Sequence, residues 1–180
     1  LGDHGLWNKH SNFEQATRTP LIFSAPGLPA GQRNDSPVEL VDIFPTICDL
    51  AGLAQTEDLQ GKSLLPILEG RESRVKSAAL SQYPRNCNVV RKAMEQYPDA
   101  CDIMGYAVRD DRYRYVAWYQ GSYTDRNNFN ADAIVAEELY DYKNDPLETI
   151  SVVDQAQYAE VKAVLLKFLA QNIFSVSQTE

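Results

Sequence analysis

The run LGDHGLWNKHSNFEQATRTPLIFSAPG, from Leu1 to Gly27, is the feature that most constrains what this chain can fold into. Its first part is punctuated by glycines and carries Asp3, His4, Lys9 and His10 beside aromatic residues. An apolar run from Pro20 to Phe23 follows and ends at Pro26-Gly27. That order reads as a functional loop feeding a short buried strand, Pro20 to Ala25, at the tail of an α/β core. Loops that mix acids, bases and glycines on a rigid scaffold are where catalytic groups concentrate. On residue types alone, Asp3 and His4 also fit turn and capping roles, and Lys9 a solvated surface lysine. No methionine precedes Leu1, so the chain is expected to be a piece of something larger.

Beyond the loop, Pro26 to Ser36 is rich in Gly and Pro and reads as a connection. Val38 to Ala51 reads as a helix, with Ser36 as candidate cap and Pro37 in the first turn. Leu40, Ile43, Phe44 and Ile47 recur at three- and four-residue spacing and are expected to face a core, while Pro45 is expected to bend the helix. Leu59 to Leu68 reads as a loop with one helical turn. From Ala78 the period changes to two: Ala78–Tyr83, Gly105–Arg109, Tyr113–Tyr119 and Glu138–Tyr142 read as half-buried strands. Asp110-Asp111 supplies hairpin turn chemistry. The arginines of Arg112-Tyr113-Arg114-Tyr115 are expected to face solvent or neighbouring loops, and Asp145-Pro146-Leu147-Glu148 to be a structural turn. Gln155 to Gln171 places Val161, Val164, Leu165 and Phe168 on one face, as an amphipathic helix covering the small sheet would.

The chain has 180 residues, 44% of them hydrophobic, enough for one or two small cores. Its formal charge of -8 argues against a nucleic-acid partner, which calls for a basic patch. No apolar stretch is long enough to span a bilayer, so no membrane association is expected. Three cysteines exclude a complete set of disulfides. Cys48 sits in an apolar run and reads as a buried thiol, whereas the state of Cys87 and Cys101 stays open between bridge and free thiols.

LGDHGLWNK with the following TRTPLIFSAPG, then VELVDIFPTICDLAGL from Val38, LQGKSLLPIL from Leu59 and ELYDYKNDPLET from Glu138, together resemble the second half of the alkaline-phosphatase-type sulfatases. Within that family SQYPR from Ser81 and MGYAVRDDRYRYVAW from Met104 most resemble the iduronate-2-sulfatase branch. The resemblance implies the end of an α/β core over residues 1–75, followed over 76–180 by a small antiparallel sheet with a C-terminal helix.

It also implies that Lys9 contacts the sulfate group. A fixed ammonium stabilises the charge that develops as a sulfuryl group is transferred, and lysine is a compact point charge suited to that role. His10 is expected to pack or face solvent. In this family an earlier Asp-His-Gly supplies metal ligands, and the copy followed by the lysine is a second element. No metal ligand is therefore assigned in this chain. The family's formylglycine nucleophile arises in a Cys-or-Ser-x-Pro-x-Arg motif, which is absent around Cys48, Cys87 and Cys101. The complete enzyme would thus use formylglycine and a calcium ion held by a missing N-terminal portion, and the chain alone is expected to be inactive.

Substrate contacts are expected from the insertion between Pro84 and Asp102, where Arg85, Arg91 and Lys92 lie; an arginine fork can grip the carboxylate of a uronic acid. Against this stand anchoring of the loop by Arg85 and simple solvation of Arg91 and Lys92. The implied substrate is a sulfated glycan, and the implied setting is periplasmic, secreted or lysosomal. Other classes left open are a sulfatase for another polysaccharide or small ester, a phosphonate hydrolase or phosphodiesterase of the same superfold, and a non-catalytic binding or assembly subunit.

Overall fold

The computed structural model describes residues 2–7, 9–84, 103–120 and 129–173. Four strands form one sheet in the order β1 (Ala79–Pro84), β2 (Ile103–Arg109), β3 (Tyr113–Gln120) and β4 (Ile134–Asp141). β2 and β3 are an antiparallel hairpin, as are β3 and β4 in pairing, with a register shift between Trp118 and Tyr119. The first hairpin closes where Asp110 stands: its Oδ1 accepts from the backbone N–H of Arg112 (2.8 Å) and Tyr113 (2.6 Å). An aspartate that satisfies two turn amides favours that bend over continued strand.

The interior strands β2 and β3 are buried on both faces, and different parts of the chain do the burying. On the face carrying Tyr115, Leu139 and Asp141 lies helix α4 (Ala159–Ile173), held by Lys162 to Glu137 at 2.9 Å and by the Tyr158 hydroxyl to Asp141 at 3.1 Å. Leu165 and Leu169 are its buried residues, whereas Val164, expected on the apolar stripe, is exposed. The stripe is rotated because the helix turns Leu169 rather than Val164 toward the sheet. On the opposite face, carrying Gly105, Arg114 and Tyr140, lies the segment from Asn12 to Thr17, whose last four residues form the short helix α1 (Glu14–Thr17). Compactness accordingly groups Leu1–Arg18 with Leu80–Glu180, and Thr19–Ala79 as a second unit. Residues 12–17 bond to β2 and β3, which is why they group with the sheet.

Asp141 ends β4 and anchors the turn beyond it. Arg112 reaches it through two parallel bonds, Nε to Oδ1 at 2.8 Å and Nη2 to Oδ2 at 2.7 Å, and the Lys143 N–H and Asn144 amide add two more. The Arg112 hydrogen bond leads in holding the Asp141 carboxyl down, to about 2, against the opposing effect of burial. A depressed carboxyl contributes stability that is complete above its unfolded value near pH 4 and is lost as pH falls toward 2. Urea unfolding between pH 5 and pH 2 should therefore show a loss of stability on acidification that is reduced in Asp141→Asn; an equal slope in both proteins would remove Asp141 as its source.

The second unit contains helices α2 (Ile43–Leu50) and α3 (Leu65–Leu68). The helix expected from Val38 begins later. A 3₁₀ turn, Leu40–Asp42, precedes α2, and its cap is a reciprocal pair in which Asp42 accepts from the Glu39 N–H, while Ser36 instead bonds to Asn34 in the loop. Pro45 falls in the first turn of α2, where its missing N–H costs nothing, so it does not break the helix. Cys48 is a buried free thiol.

The face of α2 that is buried is not the one expected. Asp42, Pro45 and Thr46 lie inside, while Leu40, Phe44 and Ile47 are exposed. Asp42 is a hub: it accepts from the Lys62 N–H (2.8 Å) and from Lys76 Nζ (2.7 Å), and Thr46 Oγ1 accepts from the Leu64 N–H (2.8 Å). Buried polar groups this fully satisfied hold the LQGKSLLPIL segment against the helix. Gly61 makes the approach feasible, since a Cβ there would run into the Val41 carbonyl.

Pro20 to Ala25 forms no strand. Leu21, Phe23 and Ala25 are half-buried and Ile22 is 85% exposed, and among the described residues no strand pairs with this segment. The period-two pattern is present, but a ladder needs a partner, and the described residues supply none. No described helix is long and apolar enough to cross a membrane.

Candidate functional site

The Lys9 loop is built by short-range backbone bonds. Gly2 N–H donates to Leu6 O (2.9 Å) and Gly5 N–H to Gly2 O (3.1 Å), curling Asp3–Gly5 into a 3₁₀ turn. His4 sits there with φ of 52°, a left-handed conformation that histidine tolerates better than most side chains. Its ring stacks flat on Phe13, centroids 3.9 Å apart, closing the loop on itself. His4 is thus turn and packing. Among the described residues no three His, Cys, Asp or Glu side chains gather as a ligand set.

Lys9 lies on the exposed part of this loop, and among the described residues no acidic side chain pairs with it. Its carbonyl accepts from the Ser11 N–H at 3.0 Å, which turns the chain inward toward Asn12. His10 stacks against Tyr83 with centroids 5.6 Å apart. Arg85, Arg91 and Lys92, and with them Cys87 and Cys101, lie outside the described residues.

Three stretches far apart in sequence meet just behind Lys9. Asn12 is 5% exposed; its Nδ2 donates to Gly105 O at 2.9 Å and its Oδ1 accepts from Ser81 Oγ at 3.2 Å. The loop therefore touches SQYPR through Ser81 and Tyr83, and MGY through Gly105. Gly105 has to be glycine: a Cβ would lie 2.7 Å from the Trp118 ring and 2.9 Å from Asn12 Nδ2.

Below this contact is a buried ionic cluster that residue patterns did not disclose. Arg114, 1% exposed, is inside rather than facing solvent, because its guanidinium has enough partners to replace water. Nε donates to Glu148 Oε1 (2.7 Å), Nη2 to Glu14 Oε2 (2.5 Å) and Thr17 Oγ1 (3.1 Å), and Nη1 to the Asn12 carbonyl. Glu148 Oε2 in turn accepts from the Glu14 N–H at 2.8 Å. Arg109 reaches Glu14 at 3.2 Å and lies over the Tyr142 ring, 3.9 Å from its centroid. Two cations and two carboxylates balance. Burial alone would raise the Glu14 carboxyl, but the charges and hydrogen bonds of Arg109 and Arg114 outweigh it and hold it below its usual range.

Asp145-Pro146-Leu147-Glu148 is a turn, as expected, and it also aims Glu148 inward. Asp145 Oδ2 accepts from the N–H groups of Thr149 (2.6 Å) and Ile150 (3.0 Å), and Glu148 adopts φ of 56° to enter the cluster. The signal available in sequence was an arginine in an otherwise aromatic strand, Tyr113-Arg114-Tyr115-Val116, together with a glutamate closing the NDPLE turn.

The family model for the C-terminal region of N-sulphoglucosamine sulphohydrolase matches residues 2–174. The chain belongs to this sulfatase family. Human iduronate 2-sulfatase is 31% identical over 214 residues, a match covering 92% of this chain and 38% of that enzyme. A solved structure described as BT4656 in complex with its substrate D-glucosamine-2-N,6-O-disulfate is 25% identical, with a TM-score of 0.52 over 76% of this chain and 24% of that one. The phosphonate monoester hydrolase of Silicibacter pomeroyi shares the fold, with a TM-score of 0.72 over 98% of this chain and 34% of that one at 23% identity. The sulfatase chain spans only 27% to 38% of the length of the first curated relatives it matches. Its mixed α/β arrangement, with a four-stranded antiparallel sheet and a C-terminal helix, is the fold it shares with these solved structures.

Proposed function

We propose that this chain is the C-terminal part of a sulfatase that hydrolyses O-sulfate esters of sulfated glycans, the 2-O-sulfate of iduronate units first among them, and that Lys9 contacts the sulfate group. The observation that carries this reading is the meeting of the LGDHGLWNK loop with SQYPR and MGY around Asn12, which leaves an exposed ammonium at the loop surface. Sulfuryl transfer places negative charge on the sulfate oxygens and on the leaving oxygen. An ammonium held in place before the reaction stabilises that charge without reorganising. A formylglycine, which would supply the oxygen that accepts the sulfuryl group, and calcium would both belong to the N-terminal portion, so the chain alone is inactive in this reading. A periplasmic, secreted or lysosomal setting follows from the same assignment.

A second reading, a sulfatase for N- or 6-O-sulfated glucosamine, is favoured by the family description and by the substrate of the solved relative. The full-length protein should be assayed on a 2-O-sulfated iduronate disaccharide, on D-glucosamine-2-N,6-O-disulfate, on an aryl sulfate and on a phosphonate monoester. Preferential turnover of the iduronate substrate is the expected result. Preference for the glucosamine substrate transfers the specificity to the second reading, turnover of the phosphonate alone overturns the sulfatase activity, and no turnover at all leaves a binding or assembly role.

A further inference from the structure

We propose that Asn12 is a positioning residue for the reaction, holding the Lys9 loop in register with the sheet; this rests on the role of Lys9 proposed above. Asn12 is the first buried residue after Lys9, three positions downstream, and the residues between them, His10 and Ser11, are exposed or half-exposed. Three polar groups of Asn12 are used, each by a different strand. The side-chain amide donates to Gly105 O on β2, its oxygen accepts from Ser81 on β1, and its backbone carbonyl accepts from Arg114 on β3.

The geometry around Asn12 leaves little room to shift. Gly105 has no Cβ, which lets the amide come within hydrogen-bonding distance of a buried strand backbone, and the Trp118 ring crowds the same space. A short polar side chain satisfied at both ends in a packed site has one orientation available, and that orientation sets where the chain emerges toward Lys9. Glu14 and Phe13, the next residues along, bond to the cluster around Arg114 and stack on His4. The loop is therefore clamped on the C-terminal side of Lys9, while Lys9 itself is exposed. Misplacing a charge-stabilising group by about 1 Å can cost on the order of 100-fold in rate, so a residue that touches no substrate can still govern turnover.

The test is a mutant cycle in the full-length sulfatase, comparing Asn12→Ala, Lys9→Ala and the double variant, with Ser81→Ala as a milder probe and thermal melting to establish folding. Asn12→Ala is expected to lower kcat by roughly 10- to 100-fold with KM changed much less, and Ser81→Ala to lower it several-fold. In the Lys9→Ala background either substitution should change kcat by less than about twofold, because the group they position is gone. If Asn12→Ala does not fold, Ser81→Ala carries the same comparison. Equal fold-losses with and without Lys9, or full activity in folded Asn12→Ala and Ser81→Ala, overturn the positioning role while the role of Lys9 stands. If Lys9→Ala alone leaves kcat at the wild-type value, both fall together.

Discussion

Lys9→Ala in the full-length sulfatase should lower kcat by about 10²- to 10³-fold, the usual consequence of removing one preorganised group that stabilises transition-state charge. KM should change little, since in the proposed role the charge Lys9 would meet is greatest after the ground state, and interactions made only in the transition state appear in kcat and kcat/KM alike. Lys9→Arg should recover only part of the loss: it restores the charge, but as a planar fork rather than a compact point, at a site where position decides the effect. The fold should be indifferent to either change, because Lys9 is exposed and pairs with no acidic group among the described residues. Steady-state kinetics on a sulfate ester, with melting curves as control, give the answer. An unaltered kcat in Lys9→Ala would make the residue a solvated surface lysine.

The second large effect should come from the interior. Arg114→Met leaves Glu148 without its cation in a site closed to water, and Glu14 with Arg109 alone; breaking a buried pair from one side costs about 3–5 kcal/mol. Glu148→Gln should cost less, because the amide oxygen can still accept from Arg114 while the net charge of the cluster shifts by one. The double variant Arg114→Met/Glu148→Gln should be less unstable than the two single losses added together, which is the signature of direct coupling. Denaturant unfolding measures all three. Strict additivity would mean that the pair is incidental to stability. The same cluster should make the protein acid-sensitive: the depressed Glu14 carboxyl contributes stability that is present above its unfolded value and lost as pH falls through the folded one.

Much of the architecture was readable in advance because it rests on neighbours in sequence. Alternation along Gly105–Arg109 and Tyr113–Tyr119 is realised as β2 and β3, the Asp110 turn joins them, and the last helix packs on the sheet. Family membership was legible for a related reason: LGDHGLWNK, SQYPR, MGY and NDPLE are contiguous motifs, and contiguity is what a single sequence displays. The candidate lysine followed from one of them. Its neighbours Ser81 and Gly105 were quoted only as parts of separate motifs, with nothing in their spacing to say that they meet at Asn12.

Burial was where local pattern failed. Leu40, Phe44 and Ile47 have the spacing of a core stripe yet are exposed, while Asp42 in the turn before α2 and Thr46 on it are fully buried, since the hydrogen bonds they make to Lys62, Leu64 and Lys76 come from segments distant in sequence. Pro20 to Ala25 has strand alternation without a strand, because a ladder requires a second chain segment beside it. Sequence alone determined which stretches extend, turn or coil, and which family the chain joins, for those depend on a residue's own stereochemistry and its near neighbours. Only the tertiary structure decided that Arg114 is internal and that Asn12 ties the lysine loop to three strands. Those contacts span 102 and 93 positions, and whether a charge or amide is buried depends on what reaches it across such a distance, not on what stands beside it in the chain.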